Sequence, residues 1–448
     1  MIDLSSATYL IGLGLAALVF GGLVVTAPFE WLVVISIAAI VGADTIFPTS
    51  GGFYSYARFA PLGLVAIRAV MFASTKSVRG RVMIPRRFLL PMVVLLAYIA
   101  VDEFRDTDLK LGLLRAVSMG LVIVGYGLGV PAYIANGGNL QQLLRTVTAF
   151  MTCVVLAGLV SLPLATTSTI SQNGQTRARG IFDNPNTFGE LAMLTFFLLM
   201  ATSRCGASRA RLTRFCMAIM VVAVLVSGSR ACLLGMAAGF LMLALARSLG
   251  SKWEVLALVG VPTGVYLATA FAPAFIRVGT DGRTELWHRA LHIGMASPWF
   301  GVGMGGVDNV LNNPLVDPLS VLVGATESSN EYLRLFVAIG IVGAVLAVVA
   351  LLALVIPAIK TAWHLPATSP LAPLVAALVA MMINEIFEDG LFAFGDSSAI
   401  LFWFIFFMVA FAVHQSQRSV SPGPGGQAVA APGPRRLATG GPMRTTAN

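Results

Sequence analysis

The stretch LRLFVAIGIVGAVLAVVALLALVI, residues 333–356, carries a single charge, Arg334. Wound as an α-helix at 1.5 Å per residue it is about 36 Å long, enough to cross the roughly 30 Å of hydrocarbon in a bilayer. It does not alternate apolar with polar residues, which excludes a strand of a membrane barrel, and a strand outside a barrel would leave its backbone groups unpaired in lipid. A spanning helix remains. Outward from it, comparable runs occur at 7–26, 30–47, 58–73, 88–101, 112–131, 146–163, 187–203, 215–228, 231–246, 254–272, 372–387 and 397–413. The run at 58–73 is short and carries Arg58 and Arg68, so it reads either as a span or as an interfacial helix. The fold class is therefore an all-α polytopic membrane protein with 12 or 13 transmembrane helices. Composition excludes a soluble domain: 11% of the residues are charged and the mean hydropathy is +0.86, whereas ordinary soluble domains carry about 25% charged residues. The first run follows Asp3 with no basic segment before it and no clear small-residue cleavage site, and reads as a retained helix rather than a signal peptide.

Charge sets the expected orientation. Lys76, Arg79, Arg81, Arg86 and Arg87 crowd one connection, Arg204, Arg209, Arg211 and Arg214 a second, Arg247 and Lys252 a third, and Lys360 lies in a fourth. Counting spans puts all four on one side with the C-terminal tail, while Asp102, Glu103, Asp106, Asp108, Glu385, Glu388, Asp389 and Asp396 fall on the other. Cytoplasmic loops accumulate Lys and Arg, so the basic side is expected to be cytoplasmic and the acidic side periplasmic. The net charge of +9 is then a topology signal, and no basic patch with interleaved aromatics points to nucleic acid. Residues 1–415 form the expected membrane domain, with outer loops at 164–186 and about 273–332. Residues 416–448, rich in Pro, Gly and Ala, read as a disordered cytoplasmic tail. Cys153, Cys205, Cys216 and Cys232 lack metal-site spacing and read as small packing residues.

Arginine at the edge of hydrocarbon needs a partner or an anionic ligand. Arg177 and Arg179 stand in QTRARGIFDNPNTFGE, Arg230 in VSGSRACLLG between two apolar runs, and Arg283 opens GRTELWHRAL in the long loop. All are expected at one surface. Blander readings stand beside these: Arg230 as an interfacial anchor, Arg283 as a solvated loop residue, and DNPN as a turn with Asn186 capping a helix from 187. In ATESSNEYLRLF, helical spacing puts Glu327, Glu331 and Arg334 on one face with Asn330 at its margin. That is either a solvated first turn with acids at the helix N-terminus or a carboxylate base beside a cationic site. Asp106-Thr107-Asp108 spells D-x-D, a three-residue match that reads as a polar loop rather than a metal site.

Taken in order along the chain, four segments resemble the O-antigen ligase and Wzy-type polysaccharide polymerase superfamily. They are R-x-R-G-x-F-x-N-P-N at Arg177 to Asn186; S-R at Ser229 and Arg230; R-x-x-x-W at Arg283 to Trp287 with S-P-x-x-G-x-G at Ser297 to Gly303; and N-x-Y-L at Asn330 to Leu333 followed by Gly340 and Gly343. The resemblance covers about residues 175–345. It implies a GT-C-like glycosyltransferase of the bacterial inner membrane, working at the periplasmic face on glycans linked to undecaprenyl diphosphate, inverting and without metal or cofactor. Arg230 and Arg283, with Arg179 as a third, would hold the diphosphate, because guanidinium binds phosphate through paired hydrogen bonds. Arg177, Asn186, Asn330 and Arg334 would support them. The ligase branch has a His before the motif's Asn; here Ser329 stands there, and His288 and His292 read as structural. The base is then Glu327, the first choice, or Glu331, or the reaction proceeds without a dedicated one, and the missing His favours a polymerase over a ligase. The implied partners are lipid-linked donor and acceptor, the bilayer and other polysaccharide assembly proteins. A flippase is the rival class. It would need charged or broken helices near the bilayer midplane and an internal repeat, whereas the spans read as nearly free of ionisable groups at mid-depth, with no two-half repeat and the polar residues gathered at one face.

Overall fold

A computed structural model of the chain describes residues 22, 24–45, 58–75, 86–105, 108–163, 169–172, 175–206, 210–246, 283–307, 310, 330–366 and 368–420. Within them the protein is an all-α polytopic membrane protein. Helices occupy Phe29–Ala43, Ala60–Ser74, Arg86–Asp102, Leu109–Ala135, Leu140–Ser161, Pro185–Arg204, Ala210–Ser227, Arg230–Leu245, Arg283–Ala296, Glu331–His364, Leu371–Asn384 and Ser397–Val420. Eleven of the thirteen expected spans fall on these helices; those at 7–26 and 254–272 lie outside, or almost wholly outside, the described residues. The last helix runs to Val420, past the expected end of the membrane domain at 415.

The helices sort by how apolar they are all round. Pro185–Arg204 is buried along nearly its whole length, from Phe188 to Ala201, and Ser397–Val420 is buried from Ala399 to Phe411. Both are largely apolar on every face, as helices enclosed by others must be, with Glu190 the charged exception in the buried part of the first. Ala210–Ser227, at the rim, exposes Leu212, Phe215, Val222 and Leu225, a surface suited to lipid. Arg230–Leu245 enters between Pro185–Arg204 and Leu371–Asn384 on small residues. A Cβ at Gly235 would stand 2.5 Å from the Ala380 carbonyl oxygen, and one at Gly239 2.4 Å from Phe197 Cζ. Two glycines four apart thus let the backbones touch, the usual way helices associate in lipid.

The two ends of the bundle differ chemically. At one, basic connections meet: Arg204 donates to the Ser369 carbonyl (3.4 Å), Arg145 to the Cys205 carbonyl (3.2 Å), and Arg87 reaches Gln417. At the other end lie Asp44, Asp183, the hairpin tip at Ser227–Ser229, Asn330 and an acidic turn, 384–397, between the last two helices. Here a two-stranded antiparallel hairpin, Thr169–Gln172 with Gln175–Ala178, leads into the bundle, Thr45 bridges Phe182, and Asp183 N–H donates to the Asp44 carbonyl at 3.1 Å.

The expected outer loop is not all loop. Arg283–Ala296 packs along the start of Glu331–His364, with Gly294 against Phe336, and the chain then crosses that helix where Gly340 interrupts it. At Gly340 φ is 65° and ψ is −174°, conformational space that only glycine enters readily. The break takes three carbonyls out of the helical ladder, and each finds another donor. Val302 N–H serves Val337 (2.9 Å), Gly303 N–H serves Ala338 (2.8 Å), and the Tyr98 hydroxyl serves Ile339 (2.9 Å). The freed N–H of Ile341 donates to Pro298 at 2.8 Å. S-P-x-x-G-x-G and the first glycine of G-x-x-G are thus two halves of one backbone crossing.

Candidate functional site

The acidic end is organised around the turn 384–397, NEIFEDGLFAFGDS. Glu331 opens its helix with no solvent exposure, and its N–H donates to the carbonyls of Glu385 (3.0 Å) and Glu388 (2.8 Å). Its Oε1 accepts from Phe392 N–H at 3.0 Å, and its Oε2 lies 3.7 Å from Arg334 Nη1, itself buried. Asn330 caps the same helix by accepting from Leu333 N–H (3.0 Å) and donates Nδ2 to the Ile386 carbonyl (2.8 Å). Glu331 is therefore not in a solvated first turn: it is a buried tie between the half-helix before Gly340 and the acidic turn.

A second set of contacts joins the R-x-R-G-x-F-x-N-P-N segment to the same turn. Asn184, not Asn186, caps the helix, accepting from Asn186 N–H at 2.9 Å with Pro185 at the first helical position, where its missing N–H costs nothing. This frees the Asn186 side chain. Its Nδ2 donates to Glu388 Oε2 at 2.7 Å, and its Oδ1 accepts from Arg177. Arg177 Nε also donates to the Ser227 carbonyl (3.0 Å), at the tip that precedes Ser229 and Arg230. Ser229 caps the next helix through Cys232 N–H, and half-buried Arg230 is its first residue.

Behind this layer the bundle holds an ionisable group within a span. Glu190, 6% exposed, accepts from Asn384 Nδ2 at 2.8 Å, and Asn384 Oδ1 lies 3.4 Å from the Cys232 sulfur. Glu385 accepts the N–H groups of Gly390 and Leu391, both at 3.1 Å, and burial beside Glu190 and Glu331 pushes its carboxyl well above the usual carboxylate range. Burial also raises Asp396 to about 7, with Asp44 adding to the rise against the pull of Arg334 and Arg58. Asp44 is raised to about 6, again mainly by burial, although its Oδ2 accepts from Ser397 N–H at 2.7 Å and Arg58 lies 3.9 Å away.

The remaining sequence candidates lie as follows. Arg179 donates to the Asp183 carbonyl at 3.3 Å, and burial raises the Asp183 carboxyl against the opposing pull of backbone hydrogen bonds and of Arg179. Arg283 heads its helix one turn before Trp287, whose ring is 6.3 Å from that of Phe387 in the acidic turn. His288 and His292 are exposed on that helix. Asp108 caps Leu109–Val122 through Leu111 N–H (3.1 Å), and among the described residues no cluster of His, Cys, Asp or Glu could hold a metal ion. Glu327 lies outside the described residues.

The structure joins Arg177, Asn186, Asn330, Glu331 and Arg334, all named from the sequence, through residues that the sequence reading did not link to them: Glu388, Glu385, Asn384 and Glu190. A signal for Glu190 existed, since an acid inside a membrane run marks a functional or structural contact by default.

These features define a class: a membrane protein whose apolar bundle gathers arginine-bearing segments and buried carboxylates at one end. Residues 215–348 match the family model described as O-antigen ligase. The match spans the Ser229–Arg230 tip, the Arg283 helix, the Gly340 crossing and the Asn330 cap, and it supports a kinship with the O-antigen ligase and Wzy-type family. The family's activity is of the ligase or polymerase type, the work of glycosyltransferase-like membrane enzymes. No curated protein sequence matches the chain.

Proposed function

We propose that the protein is a polysaccharide polymerase that joins oligosaccharide repeat units carried on undecaprenyl diphosphate, with its acidic end at the periplasmic face of the inner membrane. The observation that supports this reading is the match of residues 215–348, a stretch that includes Arg230, Arg283 and Asn330, to the O-antigen ligase family model. Ser329, where the ligase pattern has a His, favours polymerase over ligase.

In the reaction an acceptor hydroxyl attacks the anomeric carbon of the donor chain. The carbon–oxygen bond to the lipid diphosphate breaks, and its electron pair leaves on the phosphate. Negative charge therefore grows where the arginines stand. Preorganised cations in a site of low dielectric stabilise such charge without needing to reorganise, and guanidinium never loses its proton. Arg230 and Arg283 take the diphosphate, with Arg179 as a third candidate. A single displacement of this kind inverts the anomeric carbon, and two cations do the work a divalent metal would otherwise do. The acceptor's proton goes to a carboxylate. Glu331 is buried and engaged by Phe392 and Arg334, so Glu327 is the residue assigned this role.

The test is the pair Arg230→Ala and Arg283→Ala in cells that depend on this protein for polymer. Both should abolish chain extension while the protein stays inserted at normal amounts; normal polymer lengths from both would overturn the diphosphate assignment. Single repeat units should accumulate unlengthened on the outer face, whereas units trapped inside would mark a flippase.

A further inference from the structure

Two donors of Arg177 act on the protein itself. Nε holds the Ser227 carbonyl, and one terminal nitrogen reaches the Asn186 amide oxygen. The guanidinium stem lies close over the hairpin tip: a Cβ on Gly228, where φ is 66°, would stand 3.3 Å from Cγ and Nε of Arg177. Beyond that tip come Ser229 and Arg230. On the other side of Asn186, Nδ2 meets Glu388 Oε2 at 2.7 Å. An amide can serve both neighbours at once, turning its acceptor to a guanidinium and its donor to a carboxylate. Glu388 is only 8% exposed, and its own carbonyl accepts from Glu331 N–H, so the far end of this chain is anchored in the packed acidic turn.

We propose that Glu388 is a positioning residue for the diphosphate site: acting through Asn186 and Arg177, it fixes the Ser227–Ser229 tip and with it Arg230. The proposal rests on the reading of Arg230 as a diphosphate ligand. Its physical content is preorganisation. A cation held where phosphate charge develops need not be ordered during the reaction, and displacement of such a group by about 1 Å can lower the rate on the order of 100-fold. Arg177 is then a brace, and the carboxylate is needed as a hydrogen-bond acceptor.

The experiment uses the purified full-length protein, undecaprenyl diphosphate as the binding probe, and turnover of lipid-linked repeat units per folded molecule. Glu388→Gln keeps an acceptor for Asn186 and should stay near the wild-type rate, while Glu388→Ala should lower kcat on the order of 100-fold with little change in KM for the acceptor. Asn186→Asp faces Glu388 with a second carboxylate and should be as impaired as Glu388→Ala. Combining Asn186→Asp with Glu388→Gln restores the chain with its polarity reversed, because the new carboxylate accepts from Arg177 and from the new amide. That double variant should regain most of the lost kcat. In an Arg230→Ala background, Glu388→Ala should weaken undecaprenyl diphosphate binding no further, since both changes act through one group.

A merely architectural role predicts otherwise, with losses in folded amount, additive effects on binding and no rescue. Failure of the double variant to recover, or additive weakening in the Arg230→Ala background, overturns the proposal. If Arg230→Ala is impaired while Glu388→Ala extends chains normally, the positioning role alone falls. If Arg230→Ala itself binds and turns over like the wild type, the diphosphate reading falls and the positioning role with it.

Discussion

Replacing Gly340 by alanine tests the joint on which the site is built. At φ 65° and ψ −174° a residue with a Cβ is strained by about 1–3 kcal/mol. Packing adds to this. The new Cβ would lie 2.3 Å from Trp299 C and 2.4 Å from Phe300 N, both backbone atoms that cannot rotate away. Overpacking of that kind costs about 1–3 kcal/mol, so Gly340→Ala should destabilise the protein by about 2–6 kcal/mol. Gly137 is the matched control: its φ is 88°, and nothing lies within 4 Å of a Cβ there. Gly137→Ala should cost only the conformational part, about 1–2 kcal/mol. Equilibrium unfolding of the purified protein in mixed detergent micelles measures both. Gly340→Ala should also lower chain extension per folded molecule, because the crossing seats the Arg283 helix against the half-helix that Asn330 caps. Equal costs for the two variants would refute the crossing as described.

Other consequences follow from the acidic end. Asp396 and Asp44 have carboxyls raised by burial from the ordinary 3.8 to about 7 and about 6, so between pH 4 and 7 the folded protein binds more protons than the unfolded chain. Stability from these groups is full below pH 4 and is lost as pH rises through 6 to 7; unfolding should be harder at pH 5 than at pH 8, Asp396→Asn should flatten the dependence, and a wild-type curve rising with pH would contradict the burial of both. Glu331→Ala removes the acceptor of Phe392 N–H and one of the acids beside buried Arg334, so folded protein in the membrane should fall; normal folded amounts with slowed chemistry would instead make Glu331 a base. Chain extension should persist in EDTA, and loss restored by a divalent cation would revive Asp106 and Asp108.

Much of this architecture could be read from the chain because lipid imposes a simple rule: a segment must be long, apolar and helical to cross. Runs such as 333–356 declare themselves, and the basic connections mark their common end. The site was legible only in pieces. Arg177, Asn186 and Glu331 stand out as polar residues beside apolar runs, but what joins them is distant in sequence; Asn186 and Glu388 are 202 residues apart. The acids of 384–397 also look like any short polar connection on the acidic side. Gly340 is hidden for a different reason. Glycine is common inside membrane helices, so nothing marks this one as the point where the ladder breaks until Trp299 and Phe300 are seen lying across it. Asn184 and Asn186 exchange the expected role because Pro185 fixes where the helix begins, two residues earlier than the apolar run suggests.

The central claim is that this protein lengthens glycans carried on lipid diphosphate. Purified protein reconstituted in vesicles with undecaprenyl-diphosphate-linked repeat units, and nothing else, should produce a ladder of lipid-linked products differing by one repeat. Absence of a ladder would contradict the claim, and transfer of a preformed chain once lipid A-core is added to the same vesicles would make the protein a ligase.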